Sequence, residues 1–239
     1  MEIKTAILVD GAFYQKRANA LFGKCSPEER ANELITYCNR HLSSKDVGAQ
    51  YLYRIFFYDC PPSEKVVYHP LTQKSVSLKK TALYEWSNSF HKALASKRKV
   101  ALRMGELLES TAGYVLKPTI VYKLCRNELS IGDLQEDDFY LDIQQKGVDM
   151  RIGLDIASLA YKRLVNRIVL IAGDSDFVPA AKHARREGID FVLDPMWQPI
   201  KPSLNEHIDG LKSCVAKPPD NQKDSLYKGG NCAKEESSQ

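Results

Sequence analysis

Four aspartates stand at three loop or helix-start positions: Asp10, Asp149, Asp174 and Asp176. Asp174 and Asp176 flank Ser175 and follow Ile168 to Ala172, a short, wholly apolar run. Such a run reads as a strand buried on both faces, as in the middle of a parallel sheet. Gly173 ends it, and Val178 to Glu187 then carries helical spacing up to Gly188. Asp176 is placed to cap that helix. Asp10 follows Ile7-Leu8-Val9 directly, and Gly11 behind it allows a tight turn or a close backbone approach. Asp149 opens a helix predicted over Val148 to Val165. In projection Arg151, Asp155, Ser158 and Lys162 form one narrow polar stripe, and nearly all the rest is apolar. That pattern predicts a mostly buried helix, with Asp155 in a solvated ion pair. Asp149 falls inside the apolar arc, where a carboxylate is costly unless something compensates.

Acids at strand ends lie at the edge where open α/β sheets bind ligands. Brought together there, like charges cannot all persist unpaired. A hard divalent cation resolves the conflict, and Mg²⁺ or Mn²⁺ takes oxygen ligands of this kind. Such an ion sharpens a water nucleophile and neutralises charge on a phosphate. The sequence shows no histidine or cysteine cluster suggesting zinc, and His183 reads as an exposed helical residue. Tyr14, Lys16 and Arg17 follow Asp10 closely and are candidate substrate contacts. Lys79, Lys80, Lys97, Arg98, Lys99, Arg103, Lys182, Arg185 and Arg186 could meet phosphates without reading sequence, or simply be solvated.

The elements that must position these residues follow in order. Glu2 to Val9 predicts a first strand and Phe13 to Leu21 a helix. Ser26-Pro27-Glu28-Glu29 is a helix start, with a cap, a first-turn proline and acids at the positive end. Tyr51 to Tyr58 predicts a second strand, stopped by Cys60-Pro61-Pro62. Ser63 to Lys80 reads as a polar loop or flap, Ala82 to Arg98 as a helix, Val100 to Leu107 as a third strand. Tyr114 to Leu124 is rich in β formers and reads as an added strand or hairpin; Leu129 to Asp142 gives no clear pattern. Asp190 to Leu193 is a last strand and Ser203 to Leu211 a closing helix.

With 239 residues, 44% of them hydrophobic, the chain can bury a core unaided. Six cysteines without a Cys-x-x-Cys pair, and a start that runs straight into a strand, favour a reducing, cytoplasmic setting. No apolar run approaches the roughly 20 residues of a membrane span. A formal charge of +4 permits a nucleic-acid partner without requiring one. Past Lys217 the chain is polar and low in apolar residues, so 213–239 is expected to be a disordered tail.

The set Leu8-Val9-Asp10-Gly11-Ala12, Lys146-Gly147-Val148-Asp149 and Leu170 to Phe177 resembles the NYN domain of the PIN-like nuclease superfamily, in its LabA-like branch. The resemblance spans roughly residues 1–200, with 60–140 poorly covered. It implies one domain over 1–212, with a less typical insertion around 60–140. The implied fold is α/β, a Rossmann-like PIN-type arrangement with a twisted, mainly parallel sheet flanked by helices. It further implies a metal-dependent ribonuclease acting on single-stranded or structured RNA. Asp10, Asp149, Asp174 and Asp176 would be its catalytic and metal-binding acids, and Ser175 a donor beside them. Many relatives carry asparagine three residues after the first aspartate, where this chain has Phe13. The alternative is an inactive RNA-binding or scaffold module of the same fold. A small-molecule phosphohydrolase is weaker, since Ala12 breaks the Asp-x-Asp pattern, and no Gly-x-Gly-x-x-Gly marks a dinucleotide site. Whether a second copy or a protein partner is needed is not legible in the sequence.

Overall fold

A computed structural model of the protein describes residues 2–43 and 48–218. Strand β1 (Ile3–Asp10) leads straight into helix α1 (Gly11–Phe22), with Asp10 as its cap. Helix α2 (Pro27–Leu42) begins with a full capping box: Glu29 N–H donates to Ser26 Oγ, and Ser26 N–H donates to the Glu29 carboxylate. Strand β2 (Gln50–Asp59) follows, ending one residue before Cys60.

The stretch expected as a flap is partly ordered. It holds an antiparallel pair, β3 (Val66–Tyr68) and β4 (Ser75–Ser77), and its Leu78 is buried. Helix α3 (Ala82–Ala95) leads into β5 (Val100–Met104). Beyond it come β6 (Glu106–Leu107), β7 (Gly113–Leu116), α4 (Pro118–Cys125), β8 (Phe139–Asp142) and β9 (Gln145–Lys146). The predicted strand or hairpin at 114–124 is thus half strand and half helix. Pro118 at the first helical position makes the switch. Strand β7 pairs with β8, and β6 with β9, both antiparallel.

Helix α5 (Val148–Tyr161), β10 (Arg167–Ile171), α6 (Val178–Arg186) and β11 (Asp190–Asp194) complete the centre. The expected closing helix is shorter than predicted. It is α7 (Pro202–Asn205), followed by an edge strand β12 (Gly210–Leu211). The described part of the expected tail still touches the body. Ser213 Oγ accepts from Trp197 N–H, and Val215 O accepts from the Trp197 indole. Residues 219–239 lie outside the described residues.

Six parallel strands form the main sheet in the order β12-β11-β10-β1-β2-β5. Counted along the chain, the first three run outward one way and the last three the other. This is the doubly wound order, with its switch point between β1 and β10. Both faces are covered, which is why β1 and β10 read as unbroken apolar runs. Ala6 and Leu8 face α5 and α6, packing with Ile152, Ile156 and Ala184. Ile7 and Val9 face α1 to α3, packing with Tyr14, Leu34 and Phe90. Each such fully buried aliphatic chain contributes about 1.5–3 kcal/mol. Among the described residues no helix is long and apolar enough to cross a membrane.

Helix α5 departs from expectation. Met150, Leu154 and Tyr161 are exposed, so only one face of it is core. Asp155 points at the sheet instead of solvent. Its Oδ2 accepts from Tyr58 Oη (2.8 Å) and Arg103 Nε (2.9 Å), not from Arg151 or Lys162. Asp155→Asn is expected to cost about 1 kcal/mol in denaturant unfolding; an unchanged unfolding midpoint would show that its bonds to Tyr58 and Arg103 contribute nothing.

Candidate active site at the sheet switch point

Asp10 is the last residue of β1, and the loop after β10 carries Asp174, Ser175 and Asp176. The register sets Val9 beside Ile171, so these acids leave neighbouring strands at the switch point. Asp149 joins them from the first turn of α5, behind Gly147 in a left-handed conformation (φ 79°). Two close approaches hold the loops in place. A Cβ on Gly11 would meet Tyr58 O at 2.5 Å, and one on Gly173 would meet the Phe13 ring at 2.5 Å. Phe13, in place of the asparagine of many relatives, therefore packs α1 against the loop carrying Asp174.

Capping also differs from expectation. Asp174 Oδ1 accepts from Asp176 N–H (3.1 Å), and α6 has no side-chain cap from Asp176. Asp10 Oδ1 accepts from Phe13 N–H (3.1 Å).

The acids feel one another. Burial pushes the Asp10 carboxyl up to about 6; the Phe13 N–H opposes this, while the charges of Asp149 and Asp59 add to it. Asp149 is solvent-exposed on one side, not enclosed in an apolar arc. Its partial burial, then the charges of Asp174 and Asp176, push its carboxyl upward. Asp174 and Asp176 are exposed and Ser175 is half-buried. The donor set is all carboxylate oxygen and crowded with like charge, which fits a hard divalent cation.

The expected substrate contacts fare unevenly. Tyr14 is fully buried, and its hydroxyl donates to Glu33 (3.0 Å). Arg17 is 2% exposed, and its guanidinium donates to Met196 O. Both are core residues because α1 turns that face onto the sheet, so neither can meet a substrate. Tyr14→Phe is expected to cost about 1 kcal/mol in denaturant unfolding; an unchanged midpoint would show that the bond to Glu33 does not support α1. Lys16 is exposed; burial and then Arg17 push its ammonium downward. Lys182 lines a groove with Arg185, Arg186 and His207. That groove opens beside Asp190, the first residue of β11, at the sheet edge away from the acids. Lys79, Lys97 and Arg103 are engaged by Glu64, Glu28 and Asp155, and Lys99 donates to Leu52 O.

A fifth acid was not singled out from the sequence. Asp59 ends β2 as Asp10 ends β1, and it is 6% exposed. The missed signal was its position, an acid at the carboxyl end of a buried strand. A mixed donor cluster was also missed. His41, Asp194 and Cys214 offer atoms within 4.8 Å of one another. The Asp194 carboxylate there is already engaged, accepting from Tyr37 Oη (2.6 Å) and Met196 N–H (2.8 Å) and paired with His41 Nε2 (2.8 Å). Burial pushes the Cys214 thiol up to about 11, so this is a packed polar hub.

The NYN domain family model matches residues 88–199. That match spans a little under half of the chain. NYN domains fall within the PIN-like nucleases, whose substrates are nucleic acids. The matched stretch includes Asp149, Asp174 and Asp176; Asp10 and Asp59 come from chain before it. No curated protein matches the chain. Among solved structures, a protein of unknown function from Vibrio parahaemolyticus is 16% identical, with a TM-score of 0.43. That alignment covers 87% of this chain and 91% of the other. The six-stranded parallel sheet flanked by helices is the α/β architecture of an NYN domain.

Proposed function

We propose that the NYN domain is a metal-dependent ribonuclease that hydrolyses phosphodiester bonds within RNA, single-stranded or structured. The observation that supports it most is the grouping of four carboxylates at the switch point, where the burial of Asp10 and Asp149 and the charge of neighbouring carboxylates push both upward. Asp10, Asp149, Asp174 and Asp176 would hold Mg²⁺ or Mn²⁺ through carboxylate oxygens. A divalent cation bound there supplies an acidified water and neutralises charge on the scissile phosphate.

The remaining work belongs to the chain's own side chains. Asp10 is fixed by the Phe13 N–H, so its carboxylate presents a constant direction. Ser175, between two acids, would donate its hydroxyl to a phosphate oxygen. Lys16, exposed on α1, would meet the backbone of the RNA and steer it without reading bases. The localisation proposed is cytoplasmic, on the free thiols of the described cysteines.

The test is cleavage of labelled single-stranded, hairpin and structured RNAs with Mg²⁺, with Mn²⁺ and with EDTA. Cutting that requires the metal supports the assignment. RNA bound with a steep salt dependence but never cut would make the domain a binding module, with Phe13 in the asparagine position as the departure to examine first.

A further inference from the structure

Beside the acids lies a groove of about 320 Å³ that the proposed hydrolysis does not use. Its floor is Asp59, and that carboxylate is saturated. Oδ2 accepts from Gln15 Nε2 (3.0 Å) and pairs with His91 Nε2 (2.9 Å). Oδ1 accepts from Cys60 N–H (2.8 Å) and Gln145 Nε2 (3.3 Å). A carboxylate only accepts, so both glutamines must turn their nitrogens toward it. Each amide keeps its carbonyl oxygen and one N–H beyond the bond to Asp59, and both residues line the groove. Gln15 lies on α1, just past Asp10, and Gln145 on β9, which pairs with β6. The walls are apolar and partly aromatic, with Pro61, Leu83, Tyr84 and Leu141 among them. Leu83 is 72% exposed, an unpartnered apolar rim on a polar floor.

Amides beside an apolar, partly aromatic wall suit a planar, neutral ligand with adjacent donor and acceptor atoms. A glutamine amide matches adenine in this way, offering its carbonyl to the exocyclic amine and its N–H to a ring nitrogen. The volume lies at the small end of the roughly 300–1,000 Å³ range of small-molecule sites, enough for one nucleoside. The chain leads from one site to the other directly. Asp10 pairs in register with Tyr58, the residue before Asp59, and Ala12 lines the groove two residues after Asp10.

We propose that this groove is a nucleobase subsite, holding the base of a nucleotide beside the scissile phosphate, with adenine preferred. Gln15 and Gln145 contact the base, Tyr84 stacks on it, and Asp59 with His91 positions the amides. The inference rests on the nuclease reading of the acid cluster. It also gives the 60–140 insertion a task, since Pro61, Leu83, Tyr84 and Leu107 line the groove.

The test uses phosphate-free nucleosides in EDTA, so neither metal nor cleavage enters. Adenosine, guanosine, cytidine and uridine are titrated by saturation-transfer NMR and equilibrium dialysis. The proteins are wild type, Gln145→Ala, Gln15→Ala, Tyr84→Ala and Asp174→Asn/Asp176→Asn. Adenosine should bind best. Each groove substitution should weaken it by about three- to tenfold, the size of one neutral hydrogen bond or stacking contact. The double aspartate variant should bind it as wild type does. Gln145 is exposed, so its truncation leaves the core intact. Absence of nucleoside binding, or binding that all three groove variants retain, overturns the proposal. Adenosine bound by a protein that cuts no RNA would sink the nuclease reading and leave the subsite standing. RNA cut by a protein that binds no nucleoside would do the reverse.

Discussion

Replacing Asp174 and Asp176 together by asparagine is expected to lower RNA cleavage by about a thousandfold or more, with the fold retained. Removing one preorganised charge-stabilising group from an active site commonly costs about a hundred- to a thousandfold, and this variant removes two. Both side chains are exposed, so no core packing is lost. The one structural bond they make, Asp176 N–H donating to Asp174 Oδ1, survives because an asparagine oxygen accepts equally well. Asp149 also loses the two charges that push it upward. Unfolding midpoint in EDTA should therefore be unchanged or higher. Single-turnover cleavage with excess Mg²⁺ or Mn²⁺, beside a circular dichroism melt, gives both readings. A variant that cuts at the wild-type rate, or one that does not fold, removes these residues from the proposed centre.

Asp10→Asn should stabilise the metal-free protein by about 3 kcal/mol at pH 7.5. Burial raises the carboxyl from its ordinary 3.8 to about 6 in the folded chain. At about 1.4 kcal/mol per unit of pKa difference, ionisation in the folded state carries a cost of that order. The sign follows from which state ionises first. Below pH 4 the acid is protonated in both states and exacts nothing. Between about 4 and 6 the unfolded chain ionises first, so wild-type stability falls as pH rises. Above about 6 the cost is complete. Asparagine avoids it and still caps α1 by accepting from Phe13 N–H. Urea unfolding from pH 3.5 to 8 in EDTA should thus show a gain that grows from near zero to its plateau. Millimolar Mg²⁺ or Mn²⁺ should stabilise the wild type more than the variant. A gain independent of pH, or none, would show that Asp10 is not held ionised against its surroundings.

Much of the candidate site's geometry was legible because its residues lie at ends of elements with strong local signatures. Ile7-Leu8-Val9 and Ile168 to Ala172 read as central strands, and the sheet order carries their trailing acids to the switch point. The Ser26 capping box fixed the start of α2 as read. What escaped notice depended on partners distant in sequence. Asp59 gains its meaning from Gln15, His91 and Gln145, none of which is adjacent in the chain. Tyr14 and Arg17 looked like substrate contacts because spacing from Asp10 says nothing about which face of α1 meets the sheet. Periodicity cannot distinguish an apolar residue that is covered from one that is not, and Met150, Leu154 and Tyr161 are uncovered. The insertion resisted reading because its strands are two to four residues long and pair outside the main sheet.

The strand order bears on how this protein can be dissected. A fragment trimmed to residues 88–199 would keep β5, β10 and β11. It would lose β1 and β2, the two strands lying between β5 and β10. At about 4.8 Å per strand, β5 would be left roughly 14 Å from its nearest surviving neighbour. Strand β10, apolar on both faces, would become a naked edge, an invitation to pair with other chains. The recombinant unit to express is therefore set by the sheet and starts at β1, whatever boundaries sequence comparison draws.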